Sequence, residues 1–165
     1  VSLVRQIYKA GGKRPLPSIT HMTGLPEEVE QELEEAKLDY DLVVLEGDYC
    51  RFVYWKETML PVDWQAHDVA WKFLIRLIKS HRRNQPLRDG EYLEEGKQAR
   101  TKEWRRKLKR ALVSAEGAEQ LVSELDALIV PATEAGTYKL KLRINQIWIR
   151  RYDGDSGVLE EAVDY

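Results

Sequence analysis

The residue pattern predicts an α+β fold, mainly helical, in which two tandem units each place three helices before a β-hairpin. Apolar residues recur at helical spacing through the long segments and alternate or run together in the short ones. Gly, Pro and Asn punctuate the joints between them. The charge also reverses along the chain: residues 1–60 hold 7 Lys/Arg against 11 Asp/Glu, whereas residues 72–110 hold 14 against 5. A length of 165 residues has room for one medium domain or two small ones. Apolar residues make up 43% and charged residues 33%, which excludes collagen-like, low-complexity and wholly disordered chains.

The first unit, residues 1–60, is the acidic one. Leu3, Val4, Ile7 and Tyr8 share a helical face in Val1–Ala10, and Gly11-Gly12 ends it. Pro15 and Pro17 mark a loop, after which Ser18 is a suitable N-cap for a short helix, Ile19–Thr23. Pro26 suits the first position of a third helix, Glu27–Lys37, with Val29, Leu33 and Ala36 inward. Leu42–Leu45 is a strand, Glu46-Gly47-Asp48 a tight turn, and Tyr49–Trp55 a returning strand.

A joint at Leu60-Pro61 opens the basic unit, residues 61–153. Val62 to about His81 reads as a long helix burying Trp64, Ala70, Trp71, Leu74, Ile75 and Ile78. Arg82–Gly90, with Asn84, Pro86 and Asp89, is expected as a loop. Helical pattern resumes from Glu91, breaks near Gly96, and strengthens over Ala99–Val113; another helix spans Ala118–Leu128. Ile129-Val130, Tyr138–Ile144 and Ile147–Tyr152 are strands, with Tyr138–Tyr152 expected to close as an antiparallel hairpin. Residues 154–165 are an acidic tail, expected to fray.

Pro17–Lys37 followed by Leu42–Trp55 resembles a winged helix-turn-helix domain, with Ile19, Met22, Leu25, Val29, Leu33 and Leu38 where such domains bury their core. Trp104–Leu112 (WRRKLKRAL) followed by Leu128–Leu142 (LIVPATEAGTYKLKL) resembles the recognition helix and C-terminal hairpin of winged-helix effector domains in bacterial response regulators. The resemblance implies two tandem winged-helix-like units. It also implies a third helix docked in the DNA major groove and a wing against the backbone.

Charge separates the two units functionally. Glu27, Glu28, Glu30, Glu32, Glu34 and Glu35 crowd one helix, and phosphates would repel that surface. Such a helix is a solvated face or a protein-contact face, with Glu28, Glu32 and Glu35 as the candidate contacts. The opposite chemistry appears on Lys102, Arg105, Arg106, Lys109 and Arg110, which are expected to point outward when Trp104, Leu108, Ala111 and Leu112 point in. Arg can bond guanine bidentately or clamp a phosphate, and Lys supplies a point charge. Lys139, Lys141 and Arg143 add positive charge where a wing would meet the backbone; with Arg150 and Arg151 they form a second cluster, without an acid among residues 139–151.

Other motifs carry less. His21, His67 and His81 have no metal-ligand spacing, so no metal and no cofactor are expected. Cys50 is expected as a buried structural thiol. A single cysteine excludes an internal disulfide framework and points to an intracellular site, cytoplasm or nucleoid or nucleus. Gly154–Gly157 (GDSG) is similar to the nucleophile loop of chymotrypsin-like proteases but lacks the second glycine that follows there. No nucleophile, base and oxyanion site assembles, and an enzyme is not expected. No apolar run reaches the roughly 18–20 residues of a membrane span, so no membrane partner is expected. A start at Val1, without a methionine or a signal-like segment, is expected of a chain trimmed or cut from something larger.

The expected function is duplex DNA binding in transcription or replication control, through the basic helix and wing, while the acidic unit contacts a protein partner or a second copy of itself. Two rivals stand beside it. One is a non-enzymatic adaptor subunit that uses its helices only for protein contacts. The other is an RNA-binding subunit that applies the same basic face to phosphates and 2′-hydroxyls.

Overall fold

The structure is a computed structural model that describes residues 25–88, 93–94, 97–98 and 101–160. Helix α1, Glu27–Asp39, leaves the extended Pro26, whose carbonyl accepts the Glu30 N–H at 3.0 Å. It buries Val29, Leu33 and Ala36. Strands β1 (Leu42–Glu46) and β2 (Arg51–Trp55) form the expected antiparallel hairpin, in register from Leu42 opposite Trp55 to Glu46 opposite Arg51. The turn between them needs Gly47, since a Cβ there would lie 2.7 Å from Cys50 Sγ. Lys56 and Glu57, both at positive φ, turn the chain into the two-residue strand β3, Thr58–Met59.

Helix α2, Asp68–Arg82, buries Trp71, Phe73, Leu74, Ile75, Leu77 and Ile78. It ends in a Schellman motif: Asn84, at φ 58, donates to His81 O at 2.9 Å, and Gln85 donates to Ser80 O at 2.9 Å. Pairs β4 (Leu93–Glu94) and β5 (Lys97–Gln98) are antiparallel. Helices α3 (Thr101–Val113) and α4 (Glu119–Ala127) follow, then β6 (Ile129–Pro131) and β7 (Tyr138–Leu140) as a separate antiparallel ladder. Strand β8, Ile147–Asp153, lies parallel to β1 with Leu42 opposite Ile147 and Glu46 opposite Arg151. Strand β9, Val158–Glu160, completes the sheet order β3-β2-β1-β8-β9.

That sheet is buried on both faces at its centre. Leu42, Val44, Val53, Trp55, Ile147 and Ile149 join the core formed with α2, α3 and α4, whereas Val43, Leu45, Tyr54 and Trp148 join the core under α1. The continuous apolar run of β1 follows from this position, as does the parallel neighbour on one side.

Several expectations change. The Tyr138–Tyr152 hairpin does not form; β7 pairs with β6, and β8 pairs with β1 and β9. The reason is visible in the side chains. Leu140 is buried between the exposed Lys139 and Lys141, which suits a one-sided ladder. Ile147, Trp148 and Ile149 are buried in succession, which requires a strand covered on both faces. The sheet therefore crosses the joint expected at Leu60-Pro61, and Leu60 itself is buried. The helix expected from Val62 begins at Asp68, because Asp63 takes the Ala66 N–H and turns the chain so that Trp64 inserts against Trp71. Backbone pairing of β4 with β5 replaces the helical pattern expected from Glu91. Residues 158–160 of the expected tail are a strand on β8. Leu38, expected in the core, is 75% exposed. The expected helices Val1–Ala10 and Ile19–Thr23, with His21, lie outside the described residues.

Candidate nucleic-acid interface

The eight basic residues singled out by sequence divide into three groups in space. On α3, Trp104, Leu108, Ala111 and Leu112 are buried, which turns Lys102, Arg106, Lys109 and Arg110 to solvent. None of these four forms an ion pair with a described carboxylate. Arg105 is different. Its Nη2 lies 2.7 Å from Asp126 Oδ1 and 3.3 Å from Asp126 O, and only 13% of its side chain is exposed. It ties α3 to the end of α4 and does not face outward with its neighbours.

The third group comes from β7 and the turn after it. Alternation puts Leu140 inward and leaves Lys139, Lys141 and Arg143 exposed, again without an ion pair among the described residues. They line a cleft of about 760 Å³ whose opposite wall is the end of α2 and the segment after it. That wall is fixed by three features. The Schellman motif stops α2, Leu87 exchanges two backbone hydrogen bonds with Tyr138 at 2.8 and 3.0 Å, and His81 Nε2 contacts Leu142 O. Leu87 is buried and Arg88 exposed at the cleft. Glu134 is the one carboxylate among the described lining residues.

Sequence reading placed Arg88, Asn84 and Gln85 in a featureless loop and missed the wall they form. The signal available was Asn84 followed by Pro86 directly after a basic helix end, which marks a C-terminal cap. Arg150 and Arg151, grouped by sequence with the β7 cations, lie elsewhere. Arg150 stands over the Trp148 ring at 5.2 Å, and Arg151 bonds Glu46 Oε1 at 2.9 Å.

Glu46 is the centre of a second polar cluster that sequence reading did not find. It is 3% exposed at the C-terminal end of β1, and it accepts from Arg51 Nε at 3.1 Å, Trp71 Nε1 at 3.1 Å and Arg151. Arg51 also reaches Asp68 at 2.8 Å. Burial acts to raise the Asp68 pKa, but hydrogen bonds from Arg51 and Lys72 outweigh it and hold the carboxyl below its usual value. The nearby Cys50 thiol is half-buried, and that burial pushes its pKa up, which disfavours the reactive thiolate.

The acidic candidates Glu28, Glu32 and Glu35 are all exposed on α1, next to the exposed Leu38. Among the described residues no group of three His, Cys, Asp or Glu is placed to hold a metal. Among them, too, no helix is long and apolar enough to cross a membrane. No protein-family model matches the chain, and neither does any characterised protein or any solved structure.

Proposed function

We propose that this chain binds double-stranded DNA, with a role in transcription or replication control, through α3 and the cleft edge of β7. One observation carries the reading. Seven of the eight basic side chains picked out by sequence are exposed and without an ion pair among the described residues, whereas Arg105 is taken by Asp126. Cations left unpaired in a chain with more acids than bases remain available for phosphates, and phosphate neutralisation is the main source of DNA affinity. In winged-helix terms α3 stands for the recognition helix and β7 for the wing strand, with β6 as its partner in place of β8. Arg106 and Arg110 are the residues for base or phosphate contact, and Lys139, Lys141 and Arg143 position the backbone.

Fluorescence anisotropy with a short duplex at low salt tests this. Affinity that falls steeply with salt is expected; tighter binding to duplex RNA or single strands would move the assignment to those ligands, and absence of all binding would leave the adaptor reading. That second reading is favoured by one feature of α1, where the exposed Leu38 adjoins the stripe of Glu28, Glu32 and Glu35. An apolar side chain beside steering charges suits a protein partner or a second copy of the chain.

A further inference from the structure

The cleft differs from the convex face of α3 in a way that bears on what enters it. A recess of about 760 Å³ is roughly 9 Å on a side, which is the scale of small-ligand pockets and of one unstacked nucleotide. A duplex is too broad for such a recess and could only lie across its mouth. The cations at its edge come from one short stretch, Lys139 on β7 and Lys141 and Arg143 in the segment after it, and all three line the same recess. The lining also holds Asn84 and Gln85, from the segment that ends α2, and Glu134, from the turn between β6 and β7. Contact with phosphate alone needs donors only, whereas a base edge needs donors and acceptors together. Asn84 is held in place by the motif that ends α2.

We infer that the cleft receives the last, unpaired nucleotide of a DNA strand and its terminal phosphate, with Lys139, Lys141 and Arg143 on the phosphate and Asn84, Gln85 and Glu134 at the base edge. This rests on the DNA-binding reading and adds a preference for strand ends. A terminal phosphomonoester carries close to two negative charges at neutral pH, against one for an internal diester, so a cluster of three cations discriminates between them. A free nucleoside monophosphate offers the same chemistry without the strand.

The test uses the full chain and duplexes with a two-nucleotide overhang, ending in phosphate or in hydroxyl, with a nucleoside monophosphate as competitor. Binding about tenfold tighter to the phosphate end is expected, equivalent to about 1.4 kcal/mol. The preference should vanish in Lys141→Ala/Arg143→Ala, whose exposed positions leave the fold intact by circular dichroism. Equal affinity for both ends, with DNA binding retained, overturns the end preference and leaves the DNA reading standing. Binding of the monophosphate without any oligonucleotide binding overturns the strand as its source and the DNA reading with it. Binding of neither overturns both.

Discussion

Replacing Glu46 by Gln removes a buried charge on which Arg51, Arg151 and Trp71 converge within 3.1 Å. Two guanidinium groups then lose a shared counter-ion; Arg51 keeps Asp68 at 2.8 Å, and Arg151 keeps only the longer contact with Asp48 at 3.9 Å. Removing one partner from a buried ion pair costs about 3–5 kcal/mol, and the second partner of Arg51 places this case at the lower end, near about 3 kcal/mol. Arg151 is 37% exposed, so Arg151→Gln should cost only about 1 kcal/mol. The pair is also a statement about topology, because Glu46 and Arg151 are 105 residues apart and meet only through the parallel β1–β8 register. Urea unfolding of both single variants and the double variant forms a complete cycle. A coupling of about 1–2 kcal/mol is expected, with the double variant less destabilised than the sum. Additive costs would mean that the two side chains do not meet, and the parallel register would have to be abandoned.

Tyr54 is buried on the α1 face of the sheet, and desolvation, followed by the charge of Glu34, pushes its phenol from 10.0 up to about 12. The folded state thus prefers the protonated form: its contribution is complete below pH 10 and disappears as pH rises through about 12, a loss of about 2–3 kcal/mol. Tyr54→Phe should flatten the alkaline limb of a stability–pH curve, and an unchanged limb would contradict the assignment. Arg105→Ala should lower stability by about 1–2 kcal/mol through loss of the partly buried Asp126 pair; DNA affinity should stay within twofold, and a tenfold loss of affinity would return Arg105 to the interface. Changing Glu28, Glu32 and Glu35 to Gln together should slow association with a protein partner or with a second copy, measured by surface plasmon resonance and sedimentation. If neither rate nor self-association moves, α1 is a solvated face.

Local signals in this chain were legible wherever burial is one-sided. Val29, Leu33 and Ala36 on α1, and Trp104, Leu108 and Ala111 on α3, are buried as their helical spacing requires. The basic faces followed directly, since exposed cations are the complement of those stripes. What could not be read was pairing between distant strands. Ile147-Trp148-Ile149 has the same appearance whether it closes a local hairpin or slots beside β1, and only its burial on both faces decides. The Glu46–Arg151 pair was hidden for the same reason, as the two residues meet only through the parallel β1–β8 register. Leu38 failed differently. It holds a helical position, but the chain turns away at Tyr40, whose N–H bonds Ala36 O at 2.9 Å, and no element among the described residues covers it.

The most direct test of DNA binding at the β7 cleft is the salt dependence of duplex affinity for the natural chain and for Lys139→Ala/Lys141→Ala/Arg143→Ala. Each phosphate contact contributes about 0.9 to the slope of log K against log salt, so five or more contacts give about −4 or steeper. Losing three should make the slope shallower by about 2.7. That change, with affinity lost evenly across sequences, is the predicted result. An identical slope for the two proteins, or no duplex binding by the natural chain at the lowest salt, would contradict it.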